Sequence, residues 1–134
     1  MTLLAIADTH AFLWYLYDDP RLSTSARTVL ETAERTANQI GISTITLAEI
    51  LYLIEKGRII PSALDRALQA LDSTDASVVE MPFDRTVLEA MRHIERADVP
   101  DLPDRIIAAT ALVHQVPVIS RDRKIVSAGI ATIW

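Results

Sequence analysis

The stretch from Leu3 to Leu16, LLAIADTHAFLWYL, changes character at a single residue. Leu3 to Ala7 is an unbroken apolar run, short enough for a strand covered on both faces, as in a parallel sheet. From Thr9 the apolar positions Phe12, Leu13 and Leu16 fall at helical spacing, so a helix begins where the strand stops. Asp8 therefore stands at the carboxyl end of a central strand, the edge at which open α/β sheets bind ligands. An aspartate at such a junction also caps helices, and this stretch alone does not separate the two roles.

Working outward, strand and helix patterns keep alternating. Ser23 caps a helix over Thr24 to Ala37, and Ile40 to Ser43 is a short strand. An apolar helix from Ile45 to Lys56 ends at Gly57, and a further helix runs from Pro61-Ser62 through Leu71. Ala76 to Met81 is a strand. Asp84 to Ala97 predicts an amphipathic helix with Val87, Leu88, Met91 and Ile94 facing inward. After a loop with two prolines, Asp104 opens a helix over Arg105 to His114 whose alanines suit close packing on a sheet. Val116 to Ile119 is a buried strand, and Ile130 to Ile133 is the last. Alternation of this kind predicts an α/β fold with a mostly parallel sheet of four or five strands, in one domain over residues 1–134.

Composition narrows the chemistry. There is no cysteine, which removes disulfides, thiolate metal sites and thiol nucleophiles. The three glycines cannot build a phosphate loop or a dinucleotide fingerprint. His10, His93 and His114 show no metal spacing. Half of the 134 residues are hydrophobic and mean hydropathy is +0.23, a surplus suited to burial against a partner. No stretch has the length of a membrane span and no signal peptide precedes the first strand, so the expected location is cytoplasmic. Net charge is −5, from 18 acids and 13 bases, which does not advertise nucleic-acid binding. An acidic chain acts on nucleic acid when its acids gather where cations neutralise them. Eleven of the bases are arginine, the better phosphate ligand.

Four acids fall at one sheet edge, because each helix of a right-handed βαβ unit starts near the carboxyl ends of the strands. Asp8 and Asp122 end strands, Glu49 lies early in its helix, and Asp104 opens another. Each has an ordinary alternative: a cap for Asp8, a helix-dipole partner in Asp104, a wet stripe with Thr46, Tyr52 and Lys56 for Glu49, a turn for Asp122. Gathered together, such carboxylates repel unless a cation holds them. Oxygen-only ligands favour Mg²⁺ or Mn²⁺ over zinc, a site suited to phosphoryl chemistry. Trp14, Tyr15 and Tyr17 read as packing or interface residues, with base stacking as the alternative.

With IADTHAFLWYL at the start, TLAEI around Glu49, PDRIIAATAL from Pro103 and VISRDRKI from Val118, the sequence resembles PIN domains, and specifically the VapC-type toxins of toxin–antitoxin pairs. That resemblance spans essentially the whole chain. It implies a three-layer α/β/α sandwich and a metal-dependent endoribonuclease in which Asp8, Glu49, Asp104 and Asp122 bind Mg²⁺ or Mn²⁺. Ser120 stands where the family often has threonine and is expected to bond a carboxylate or an ordered water, with Thr9 as a second supporting hydroxyl. Arg105, Arg121 and Arg123 are candidates for gripping the RNA backbone. A homodimer and a cognate antitoxin partner are implied, and the expected reaction is hydrolysis of an RNA phosphodiester to 5′-phosphate and 3′-hydroxyl ends. Two other readings stay open here: a PIN-fold module that binds RNA or protein without cutting, and a phosphatase or phosphotransfer domain with Asp8 as nucleophile. Against the second, the acid such phosphatases place two residues on is here His10.

Overall fold

A computed structural model describes residues 1–134. Five strands form one sheet: β1 (Leu3–Ala7), β2 (Gln39–Ser43), β3 (Val78–Met81), β4 (Val118–Ile119) and β5 (Thr132–Ile133). All neighbours are parallel and the order is β3-β2-β1-β4-β5. Seven helices connect them: α1 (Thr9–Leu16), α2 (Thr24–Thr36), α3 (Thr44–Glu55), α4 (Ala63–Asp72), α5 (Arg85–Met91), α6 (Leu102–His114) and α7 (Arg123–Ser127). None is long and apolar enough to cross a membrane.

The sheet divides two apolar cores, because successive side chains on a strand point to opposite faces. Ala5 and Ala7 of β1 enter a cluster with Phe12, Leu30, Ile40, Ile42, Ile50 and Ala67, beneath α1, α2, α3 and α4. Ile6, between them, enters the other cluster with Val87, Met91, Ile106, Val118 and Ile125, beneath α5, α6 and α7. The result is the expected three layers. Small residues let α6 lie close on the sheet: Ala108, Ala109 and Ala111 are fully buried.

Chain direction reverses at β1. Strands β2 and β3 are laid down on one side of it, β4 and β5 on the other. The crossovers leaving β1 and β4 thus diverge and open a crevice at their carboxyl ends, the position where doubly wound sheets bind ligands. Asp8 follows β1 directly, and Ser120 to Asp122 follow β4.

Several boundaries depart from the sequence reading. The helix expected over Asp84 to Ala97 ends at Met91, and turns closed by Ile94 N–H to Met91 O and Val99 N–H to Glu95 O replace its second half. Val87, Met91 and Ile94 keep their inward places, whereas Leu88 is 50% exposed. Leu88 lies one position off that stripe, about 100° round the helix. The helix expected to open at Asp104 begins at Leu102, and its cap is Asp101. Strands β3, β4 and β5 are each two residues shorter at their amino ends than the apolar runs suggested.

Gly41 is fixed by space. A Cβ there would meet Ile6 Cδ1 at 2.5 Å and Met81 Cγ at 2.8 Å. Gly41→Ala is therefore expected to destabilise by about 1–3 kcal/mol, the cost of overpacking a filled core. Urea unfolding with an unchanged m-value checks it, and a variant as stable as wild type would show that this side of β2 has slack.

Candidate active site

Asp8 does both things its position allows. Its carboxylate accepts the Ala11 N–H at 2.8 Å and caps α1, and it also faces the crevice. Burial raises its pKa above the ordinary carboxylate value; Asp122 pushes the same way, against the Ser120 hydroxyl, the Ala11 N–H and His10. Ser120 is buried, 1% exposed, and its Oγ also accepts the Asp122 N–H at 3.0 Å. Ser120 thus stands between the acid after β1 and the backbone of the acid after β4.

The stripe that carries Glu49 is wet only at its far end, where Tyr52 and Lys56 are exposed, and Glu49 itself is half-buried. Thr46, three residues before it, is fully buried, and Glu49 Oε1 accepts the hydroxyl of Thr9. Thr9 Oγ1 also lies 3.2 Å from Thr46 Oγ1, so hydroxyls join α1 and α3 and hold Glu49 at the cleft. Asp122 caps α7 through the Lys124 N–H at 2.9 Å. Asp101 caps α6 through the Asp104 N–H at 3.0 Å.

Asp104, in the first turn of α6, carries the strongest electrostatic signal. Its pKa is pushed up to about 8 by burial first, then by Asp101, Asp122 and Glu49. A helix N-terminus would by itself favour the ionised carboxylate. The opposite shift means that burial, together with the neighbouring negative charge, outweighs the dipole.

Together these residues line a cleft of about 510 Å³ whose wall contains Asp8, Glu49, Asp101, Asp104 and Asp122, faced by His10, Trp14, Arg121, Arg123 and Trp134. All four predicted acids reach it. Arg121 and Arg123 stand at it too, and neither is paired: the chain's ion pairs are Arg21–Asp19, Arg27–Asp18 and Arg92–Glu89. Arg105 is not among its lining residues. Its guanidinium donates to the carbonyls of Met91 and Ile94 at 3.1 and 3.0 Å, where it terminates α5 and leaves Nε buried without a partner. That assignment to RNA contact is corrected to a structural one.

Sequence reasoning missed Asp101 and Trp134. The first was legible, since Asp-x-Pro at a helix start is a cap followed by a proline in the first turn. The second was not, because only the fold brings residue 134 to Trp14.

As placed, no three of these carboxylates close around a common point as a cation site. Each is engaged locally, Asp8 and Asp122 with backbone N–H groups and Glu49 with Thr9. The donor chemistry nevertheless fits a hard divalent cation: five carboxylates, no thiolate, and an Asp104 whose pKa is raised by burial and then by its acidic neighbours.

A three-layer parallel α/β domain with an acid-lined cleft at the switch of its sheet is a recognisable class. Within it the chain belongs to the PIN domain family, whose model matches residues 5–130. Solved structures share the fold. A chain of VapBC2 from Rickettsia felis, bound to a promoter DNA fragment, is 17% identical with a TM-score of 0.71 over 97% of both chains. FitAcB from Neisseria gonorrhoeae is 20% identical, TM-score 0.62, over 96% of both. A toxin–antitoxin complex from Klebsiella pneumoniae is 25% identical, TM-score 0.60, over 90% of this chain and 88% of that one. No curated protein matches.

Proposed function

We propose that the chain is an endoribonuclease toxin of a toxin–antitoxin pair, dependent on Mg²⁺ or Mn²⁺. The observation that carries the reading is the gathering of five carboxylates in one cleft, where burial and the acidic neighbours push the pKa of Asp104 up to about 8. Asp8, Asp104 and Asp122, with Glu49, are the residues that would hold the cation. Once bound, such an ion polarises phosphate oxygen and lowers the pKa of water. The chain's own groups prepare that chemistry. Ser120 and Thr9 orient Asp8 and Glu49, while Asp104 gives up its proton as the charge around it is neutralised. Arg121 and Arg123 offer donors to phosphate oxygens at the same cleft.

In-line hydrolysis with the 3′-oxygen leaving yields 5′-phosphate and 3′-hydroxyl ends. A labelled RNA should be cut with Mg²⁺ and not with EDTA, and ligation-dependent mapping should find 5′-phosphates. A 2′,3′-cyclic phosphate would assign the attack to the ribose hydroxyl instead. Binding of RNA without cutting in Mg²⁺ would favour the non-cleaving module.

The neighbouring structures are toxin–antitoxin complexes, which supports a cognate antitoxin as partner. A groove of about 390 Å³ beside the cleft shares His10 and Trp14 with it, and carries Leu13, Tyr17, Leu53, Ile59 and Ile60. An apolar antitoxin segment seated there would lie against the site. A homodimer in the cytoplasm completes the proposal, in keeping with the apolar surplus of the chain.

A further inference from the structure

One wall of the acidic cleft is built from tryptophan and arginine rather than acid. Trp14 stands at its centre, 5% exposed and so closed to any ligand. The guanidinium carbons of Arg121 and Arg21 lie 4.7 and 4.9 Å from its ring centroid. The Trp134 ring is 5.8 Å away and tilted by 58°. Arg21 is committed to Asp19 by a two-point pair at 3.0 and 2.7 Å. Arg121 has no ion pair, although five carboxylates share its cleft. Its seat on Trp14 fixes its place instead. Trp134 lines the same cleft and is 36% exposed.

A flat apolar ring open to the cleft, beside an unpaired planar cation, is what one unstacked nucleotide needs: a face for its base and donors for its phosphate. We infer that Trp134 and Arg121 form a nucleotide subsite on the rim of the cleft. Trp134 stacks an unpaired base, Arg121 binds a backbone phosphate, and Trp14 is the positioning residue that holds Arg121. The inference rests on the nuclease reading and narrows its substrate to single-stranded RNA, because a base inside a duplex is already covered by its neighbours.

The test is steady-state cleavage, in Mg²⁺, of a short single-stranded RNA and of the same RNA annealed to its complement. Trp134→Ala is expected to raise KM by roughly 5- to 150-fold, the range for one lost base stack, with kcat within about twofold. Trp134→Phe should recover most of that loss. Arg121→Ala should raise KM and make its salt dependence shallower, by about 0.7 in the logarithmic slope for one phosphate contact. The duplex should be the poorer substrate. RNA should quench wild-type tryptophan fluorescence, and Trp134→Phe, which leaves only buried Trp14, should lose the quench. If wild type cuts RNA while Trp134→Ala keeps the wild-type KM, or if duplex is cut equally well, the subsite is wrong and the nuclease reading stands. A wild type that neither cuts nor binds RNA removes both.

Discussion

Asp8→Asn and Asp104→Asn are each expected to abolish RNA cleavage, by on the order of 10³-fold or more, while His10→Ala stays within about tenfold of wild type. The contrast between Asp8 and its cap makes the first variant informative. Asparagine caps a helix about as well as aspartate, so Asp8→Asn keeps the bond to the Ala11 N–H that starts α1. What it removes is the charge facing Asp122 across Ser120. If Asp8 were only a cap, the variant would fold and cut like wild type. If Asp8 is a site residue, it folds and does not cut. Circular dichroism together with cleavage of a labelled RNA separates the outcomes, and near wild-type activity in a folded Asp8→Asn would sink the metal-site assignment. His10 lies in the same cleft, but its contribution is a favourable charge beside Asp8, which the cation itself would supply.

Much of this site was legible because it is written locally. An apolar run that stops at Asp8, and another that stops before Asp122, place both acids at strand ends without any tertiary knowledge. Glu49 stood out as a charge in an apolar helix, and the structure gives the reason in its bond to Thr9. The failures share a different cause. Arg105 follows Asp104 in sequence, yet adjacent residues on a helix point about 100° apart, and Arg105 turns to the carbonyls ending α5. Trp14 read as packing, which its burial supports, but Arg121 and Trp134, ranged around it, come from the far end of the chain. Periodicity reports which way a residue faces its own core, not which remote side chains meet it there.

The acid cluster also makes a prediction about stability, whose sign follows from Asp104. Its folded pKa, about 8, lies above the ordinary carboxylate value of 3.8. Between those values the folded chain holds a proton that the unfolded chain has lost, so this group's contribution to stability falls as pH rises through that window. In EDTA, Asp104→Asn should therefore match wild type below about pH 4, melt progressively higher than wild type as pH rises toward 8, and keep a constant lead above that. A divalent cation reverses the wild type's disadvantage. Because it binds only the folded chain, Mn²⁺ at a hundredfold excess over Kd should add about 2.7 kcal/mol, roughly 10 °C in Tm for a domain of this size. Matched NaCl should give much less, and Asp104→Asn should lose most of the gain. Binding must also expel the Asp104 proton, so affinity should strengthen between pH 6 and 8, by at most about tenfold per unit for one proton released. Differential scanning across pH, in EDTA and in Mn²⁺, tests all of this on two proteins. A Tm difference between variant and wild type that is flat with pH in EDTA would mean that Asp104 is not crowded by its neighbours. A wild type indifferent to Mn²⁺ beyond the salt effect would mean that the carboxylates share a cleft without sharing an ion.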